Sequence, residues 1–170
     1  MKIGILREEK IPEDKRVSLT PNQCKELLKL YPSIELYIQS SRLRCFTDNE
    51  YASIGIRIVD DISNCDILIG IKEVPISSLI SNKTYLFFSH TIKKQVYNRN
   101  LLQEMIKKKI KMVDYEVIKS INGKRLVGFG RYAGIIGAYN GLLAYGKKTN
   151  KYSLKPAHLC EDRLEMEKEL

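Results

Sequence analysis

Four short polar segments contain the side chains of this sequence that could take part in chemistry. Each lies at or beyond the end of an apolar run, and the four are Asp14–Arg16, Lys72–Glu73, Ser89–Lys93 and Asp114–Glu116. Arginine and lysine bind carboxylates through charge-assisted hydrogen bonds. Histidine, lysine and glutamate can pass protons to and from a substrate. The convergence of these residue types predicts a site that binds carboxylates and transfers protons.

Each of these residues also has a purely structural interpretation. Arg16 could be a solvated loop cation, and Lys72 could cap the edge of a strand. His90 is one of only two histidines, and an isolated histidine is commonly structural. Glu116 could pair with Lys119 at the surface. Their shared position after separate strands favours function, because open parallel sheets bind ligands at the carboxyl ends of their strands.

Strand-like and helix-like segments alternate along the chain. The expected strands are Lys2–Leu6, Ile34–Ile38, Ile56–Val59, Ile67–Ile71, Tyr85–Ser89 and Lys111–Tyr115. The expected helices are Pro21–Leu30, Asp48–Ile54 and Leu101–Lys109. The runs that start at Ile67 and Tyr85 are apolar on both faces, as in central strands of a parallel sheet. The alternation predicts an α/β fold, an open and mostly parallel Rossmann-like sheet with flanking helices.

The chain changes character after these elements. Asn122-Gly123 stands between two apolar segments and predicts a hairpin turn. Small residues then recur every three or four positions from Gly130 to Gly146. On a helix they would form a smooth stripe that another backbone can approach closely. The charged tail from Cys160 to Leu170 is expected to be helical.

The composition bears on partners and location. The chain has 170 residues, 44% hydrophobic and 29% charged, as is typical of one globular domain. No apolar stretch reaches the roughly 18 residues that span a bilayer, and the N-terminus lacks signal-peptide features. We therefore expect a cytoplasmic protein without a membrane partner. The net charge of +9 includes the cluster Lys107–Lys111, which lacks interleaved aromatic residues, so no nucleic-acid partner is expected. No cysteine forms a CxxC pair, and no metal site is expected.

Taken in order, the polar segments resemble a known superfamily. Asp14–Pro21 (DKRVSLTP) is similar to the R-x-x-L-T-P signature of alanine dehydrogenases, transhydrogenase N-terminal domains and saccharopine dehydrogenases. Asp66–Pro75 (DILIGIKEVP) resembles the strand that bears the active-site lysine of that family. Lys83–Lys93 and Val127–Gly134 resemble the lysine-forming saccharopine dehydrogenase branch, which includes the lysine–ketoglutarate reductase part of a bifunctional enzyme. The resemblance covers almost the whole chain.

The resemblance implies roles for seven side chains. Lys72 and His90 match the acid–base pair of the family, and Glu73 and Glu116 match acidic neighbours that tune the charge of this pair. The cations that hold substrate carboxylates correspond to Arg16, Lys93 and Arg125. Saccharopine carries three carboxylates, which suits a site with several cations. Its oxidation yields an imine that water must attack, which requires a proton shuttle.

The resemblance also implies an amino-acid dehydrogenase that interconverts saccharopine with lysine and 2-oxoglutarate and uses NAD or NADP. The family binds that cofactor mainly in a second domain, through a G-x-G-x-x-G fingerprint that Gly130–Gly141 does not reproduce. We expect residues 1–130 to form the substrate-binding catalytic domain. Residues 131–170 are expected to form an interdomain helix and a linker toward that nucleotide-binding domain. We expect the chain to be inactive alone and to need a second domain or a complementing chain.

Two alternatives stay open. The chain could be an alanine dehydrogenase-like domain with different substrate chemistry, which binding of alanine and pyruvate would distinguish from binding of saccharopine. It could also be a truncated, non-catalytic module that binds amino acids or another protein, with the small-residue stripe covered by a partner.

Overall fold

Six parallel strands form one sheet in the order β3-β2-β1-β4-β5-β6. Their bounds are β1 Lys2–Ile5, β2 Glu35–Gln39, β3 Arg57–Val59, β4 Ile67–Ile69, β5 Thr84–Phe87 and β6 Lys111–Asp114. The computed structural model describes residues 1–170, and these divide into two units, Met1–Val127 and Gly128–Leu170. The expected α/β fold with a parallel sheet is confirmed. The central strand β1 pairs with β2 on one side and β4 on the other.

Both faces of the sheet are covered, as the continuous apolar strands predict. Ile3 and Ile5 of β1 belong to a buried cluster on one face, to which Cys24 and Tyr51 contribute from two helices. On the other face, Leu68 packs in a second buried cluster. Because side chains alternate along a strand, each central strand serves both clusters.

Three helices flank the sheet of the first unit, namely α1 Pro21–Leu30, α2 Asp48–Ala52 and α3 Arg99–Lys107. The first two begin at the expected N-caps, Thr20 and Thr47, each of which forms a reciprocal capping box with the residue three positions later. A cap of this kind is worth about 1 kcal/mol. Gly55, at φ +84°, closes the turn after α2 as its position predicted.

Strand β4 is shorter than the sequence predicts, because it ends at Ile69 and not at Ile71. The backbone N–H groups of Ile71 and Lys72 donate to the side chain of Glu8 at 2.7 and 2.8 Å. For these two N–H groups, a carboxylate from the loop after β1 thus takes the place of a carbonyl group of a neighbouring strand. Strand β5 likewise ends at Phe87 and not at Ser89.

The predicted hairpin turn is present after β6. Lys119 and Arg125 form an antiparallel bridge, and Gly123 between them has a φ of +76°. The turn is closed by a hydrogen bond from Gly123 N to Ser120 O at 2.9 Å. Glycine suits this position because it adopts the left-handed conformation without a steric penalty.

The second unit consists of the long helix α4 Gly130–Thr149, the short helix α5 Arg163–Lys168 and their connection. Tyr139, Leu154 and Met166 form its buried cluster. The unit begins at Gly128, close to the predicted boundary after residue 130. Its role as an interdomain linker stays a prediction. Neither α4 nor any other helix combines the length and apolar character needed to cross a membrane.

Candidate functional site

The four polar segments converge at one edge of the sheet. They follow β1, β4, β5 and β6, which are consecutive neighbours in the strand order. The chain order reverses between β1 and β4, because β2 lies on one side of β1 and β4 on the other. In open parallel sheets the crevice at such a switch point is the usual ligand site.

His90 lies at the centre of the polar cluster, between two carboxylates. Its Nδ1 is 3.0 Å from Glu116 Oε2, and its Nε2 is 3.7 Å from Glu73 Oε1. The His90 side chain is 18% exposed and both carboxylates 10% or less, so water screens these contacts only weakly. The imidazole also stacks on Phe88 at a centroid distance of 6.2 Å. This arrangement can hold a proton on either ring nitrogen.

The backbone at His90 is unusual. His90 adopts the left-handed conformation with φ 55° and ψ 8°, and Lys94 does so with φ 53°. For residues other than glycine this conformation costs about 1 to 3 kcal/mol and is frequent at functional sites. The short 3₁₀ turn Thr91–Lys93 lies between these two residues.

Glu116 is surrounded by basic groups. Lys93 Nζ lies 3.0 Å from Glu116 Oε1 and 3.2 Å from His90 Nδ1, and Arg125 Nη2 lies 4.0 Å from Glu116 Oε1. Burial by itself would raise the pKa of Glu116, but hydrogen bonds from Lys93 and His90 and their positive charges lower it below its ordinary value. Glu116 is therefore ionised at neutral pH, as the predicted role beside His90 requires.

Glu73 has one oxygen that is neither solvated nor hydrogen-bonded. Its Oε2 accepts a hydrogen bond from Lys10 Nζ at 2.5 Å. Its Oε1 is buried without a hydrogen-bond partner and faces His90 Nε2 beyond hydrogen-bond distance. A buried acceptor without a partner is costly, so this oxygen is poised to accept a proton donor from a ligand or from His90.

Lys72 lies on the other side of Glu73. Its ammonium group forms no salt bridge or side-chain hydrogen bond in the structure. The residue lines a cavity of about 210 Å³ together with Glu8 and Glu73. Burial raises the pKa of Glu8, although hydrogen bonds from the backbone of Ile71 and Lys72 oppose that shift. Lys72 is thus the lysine of the site with an ammonium group available to a ligand.

Arg16 belongs to a second group of contacts in the loop after β1. Its Nε donates to Asp14 Oδ1 at 2.8 Å, and its Nη2 forms an ion pair with the other carboxylate oxygen. Hydrogen bonds from Arg16 lower the pKa of Asp14, and the charge of Lys72 contributes to that shift. Asp14, the ion-pair partner of Arg16, therefore lies in the electrostatic range of Lys72.

The structure thus divides the seven predicted residues. Direct contacts join Glu73, His90, Lys93, Glu116 and Arg125. Lys72 is linked to them through its neighbour Glu73, and Arg16 is paired separately with Asp14. The surface pair between Glu116 and Lys119 is not formed, because Glu116 turns inward to His90.

Sequence reasoning missed Glu8 and Lys10, both of which contact the site. They follow β1 directly, so the strand-end rule that selected the other clusters would have included them. The R-x-x-L-T-P resemblance directed attention to the later part of the same loop. The sequence analysis placed Ser89 and Asp114 in two of the polar segments but did not predict the buried hydrogen bond between them.

The residues of this chain do not fit a nicotinamide dinucleotide. The loop after β1, residues 6–20, contains no glycine. The glycines from Gly130 to Gly141 lie inside the continuous helix α4, whereas a dinucleotide fingerprint needs glycines in the turn between a strand and a helix. The described residues thus bring together ionisable side chains but no glycine-rich pyrophosphate cradle.

Comparisons of sequence show the family to which this chain is related. The family model for the N-terminal domain of alanine dehydrogenase/PNT matches residues 4–136. The chain is 37% identical over 163 residues to the mitochondrial alpha-aminoadipic semialdehyde synthase of Mus musculus, covering 92% of this chain and 17% of that protein. It is 30% identical over 142 residues to a saccharopine dehydrogenase (NAD(+), L-lysine-forming) of Yarrowia lipolytica, covering 81% of this chain and 38% of that protein. The chain therefore spans well under half of these relatives.

Solved structures share the fold. A transhydrogenase from Sinorhizobium meliloti aligns with a TM-score of 0.67 and 16% identity, over 85% of this chain and 44% of that one. An L-alanine dehydrogenase aligns with a TM-score of 0.59 and 17% identity, over 73% of this chain and 35% of that one.

Proposed function

The chain belongs to the alanine dehydrogenase/PNT N-terminal domain family, and on that premise we propose that it binds saccharopine and moves the protons in its interconversion with lysine and 2-oxoglutarate. The observation that carries this proposal is the position of His90 between Glu73 and Glu116, with Lys72 at the next strand end. One of the relatives reported above is named a saccharopine dehydrogenase, which supports this substrate over alanine.

The proposed reaction needs a group that accepts and returns protons. Oxidation removes a hydride from the substrate carbon and a proton from the secondary amine, which leaves an imine. Water then adds to the imine carbon. The nitrogen receives a proton and the new hydroxyl group loses one, so the carbon–nitrogen bond breaks and lysine leaves as 2-oxoglutarate forms. His90 and Lys72 are the proposed carriers of these protons. Glu116, ionised beside His90, stabilises the imidazolium form while the proton is held.

The substrate carboxylates require exposed cations. The side chains of Arg16, Lys93 and Arg125 are 41%, 48% and 49% exposed, so each is accessible although each already contacts a protein carboxylate. We propose that a substrate carboxylate joins or replaces these internal partners. Arginine is suited to such an exchange because it binds carboxylates through two parallel hydrogen bonds.

The hydride acceptor in the full reaction would be NAD or NADP, held outside these residues because they lack a pyrophosphate cradle. We therefore propose that the chain alone binds substrate without turnover. Steady oxidation of NADH or NADPH by the purified chain, supplied with lysine and 2-oxoglutarate, would contradict this. The cytoplasmic location stays a prediction.

The test is a calorimetric titration of the chain with saccharopine, and separately with alanine and pyruvate. We expect saccharopine to bind, and Arg16→Ala or Arg125→Ala to weaken it about tenfold to a hundredfold, the range for a lost charge-assisted hydrogen bond. The matched control is Arg57→Ala, because Arg57 pairs with Glu35 at the amino-terminal edge of the sheet. Binding of alanine or pyruvate in place of saccharopine would favour the alanine dehydrogenase-like alternative.

A further inference from the structure

A buried hydrogen-bonded pair joins the ends of β5 and β6 below the candidate site. Ser89 is 0% exposed and Asp114 is 7% exposed. The hydroxyl of Ser89 donates to Asp114 Oδ2. The other oxygen, Asp114 Oδ1, accepts the backbone N–H of Glu116 at 2.9 Å. One carboxylate therefore binds both strand ends at once.

The hydroxyl of Ser89 uses its full hydrogen-bonding capacity. Since its single proton goes to Asp114, it accepts from Thr91 N at 3.2 Å and from Thr91 Oγ1 at 2.8 Å. Ser89 and Thr91 are the two chain neighbours of His90. Their mutual hydrogen bonds close the backbone around His90 and retain its left-handed conformation.

We infer that Asp114 is a positioning residue, which holds His90 through Ser89 and Glu116 through its backbone so that their side chains meet at hydrogen-bond distance. Asp114 contacts neither of these side chains itself, since its two oxygens are occupied by Ser89 and by the Glu116 backbone. Asp114 instead keeps His90 Nδ1 and Glu116 Oε2 at their separation of 3.0 Å. This inference rests on the proposed function, in which His90 carries protons and Glu116 stabilises its protonated form.

The two hydrogen bonds that Asp114 accepts require a carboxylate at this position. The two Asp114 oxygens accept from donors that follow different strands, Ser89 after β5 and Glu116 after β6. Asparagine would present an N–H to one of these donors, so one of the two connections would be lost with almost no change in volume. Asp114→Asn therefore separates positioning from packing. Ser89→Ala removes only the connection to the His90 turn and serves as a second variant.

The test is a double-mutant cycle read by NMR on the 170-residue chain. The shift of the His90 Cε1–H resonance caused by Glu116→Gln is measured in the wild-type and in the Asp114→Asn background. His158, the only other histidine, provides a reference in the same spectrum. We expect the shift to fall to about half or less of its wild-type size, as coupling is lost between displaced groups.

A shift of wild-type size in both Asp114→Asn and Ser89→Ala would overturn the inference. If the Asp114→Asn chain does not give the dispersed spectrum of a folded protein, the His90 shift in the Ser89→Ala background alone tests the inference. The matched control is Ser63→Ala, which removes a serine hydroxyl bonded at 2.8 Å to Asp61 on another loop and should leave the His90 shift unchanged. The measurement needs no substrate, so its outcome is independent of whether saccharopine binds.

Discussion

Glu8 differs from Glu73 and Glu116, because two backbone N–H groups rather than a cationic side chain satisfy it. Burial is the largest influence on this group and raises its pKa above the ordinary 4.5. Its contribution to stability is thus fully present below pH 4.5 and is lost as pH rises through the raised folded-state pKa.

We therefore predict that Glu8→Gln changes the pH dependence of stability. The free energy of unfolding of the wild type, relative to this variant, should fall as the pH rises above 4.5, the ordinary pKa of a glutamate. Urea unfolding monitored by circular dichroism at a series of pH values measures this difference. Glu13→Gln, at an exposed glutamate of the same loop, is the matched control. A flat or rising curve for Glu8→Gln would show that Glu8 is not the group responsible.

At the scale of residues, the sequence predicted which side chains gather but not how they pair. Strand-end position was sufficient to select His90, Glu73 and Glu116. The pairing of Arg16 with Asp14, and of Lys10 with Glu73, depends on the path of the loop after β1. That path is set by contacts between residues more than sixty positions apart, which no local pattern records.

At the scale of elements, the small-residue stripe of α4 has one close contact. A Cβ atom at Gly146 would lie 2.7 Å from the backbone oxygen of Tyr152, whereas Gly130, Gly134, Gly137 and Gly141 have nothing within 4 Å. The close approach predicted for the stripe is therefore formed at Gly146, where the chain folds back after the helix.

We predict that Gly146→Ala destabilises the second unit by about 1 to 3 kcal/mol, because the added methyl group overlaps backbone that cannot move freely. Gly141→Ala is the matched control, since it lies in the same helix with open space around it and should stabilise α4 by about 0.5 to 1 kcal/mol. Hydrogen exchange of the α4 amides measures both effects. Equal stabilisation by the two substitutions would refute the close contact.

The type and order of the helices and strands were predictable because caps and apolar periodicity are local signals. The capping boxes at Thr20 and Thr47 set the starts of α1 and α2 as expected. The ends of β4 and β5 were not predictable, since side chains from distant segments replace the hydrogen bonds between strands there. Strand ends are therefore least predictable where the site lies.

At the scale of the whole molecule, all six strands, three helices and both large buried clusters lie within Met1–Val127. We predict that residues 1–127 expressed alone fold cooperatively, with a urea midpoint close to that of the same unit in the full chain. Leu68→Ala, at a fully buried position, should destabilise this fragment by about 2 to 5 kcal/mol. A fragment that lacks a cooperative transition would show that the second unit is needed for folding.

The parallel order of the strands has a consequence for synthesis of the protein. Strand β1 is translated before the other five strands but lies at the centre of the sheet, and the backbone of Lys2 bonds to Asp66 across 64 positions. A growing chain therefore carries an apolar strand with one unpaired edge until β4 has left the ribosome. Such long-range pairing slows folding and leaves nascent chains prone to aggregation. The carboxylate of Glu116 and the imidazole of His90 can meet only after Glu116 has emerged, so ribosome-bound intermediates shorter than this cannot form the site.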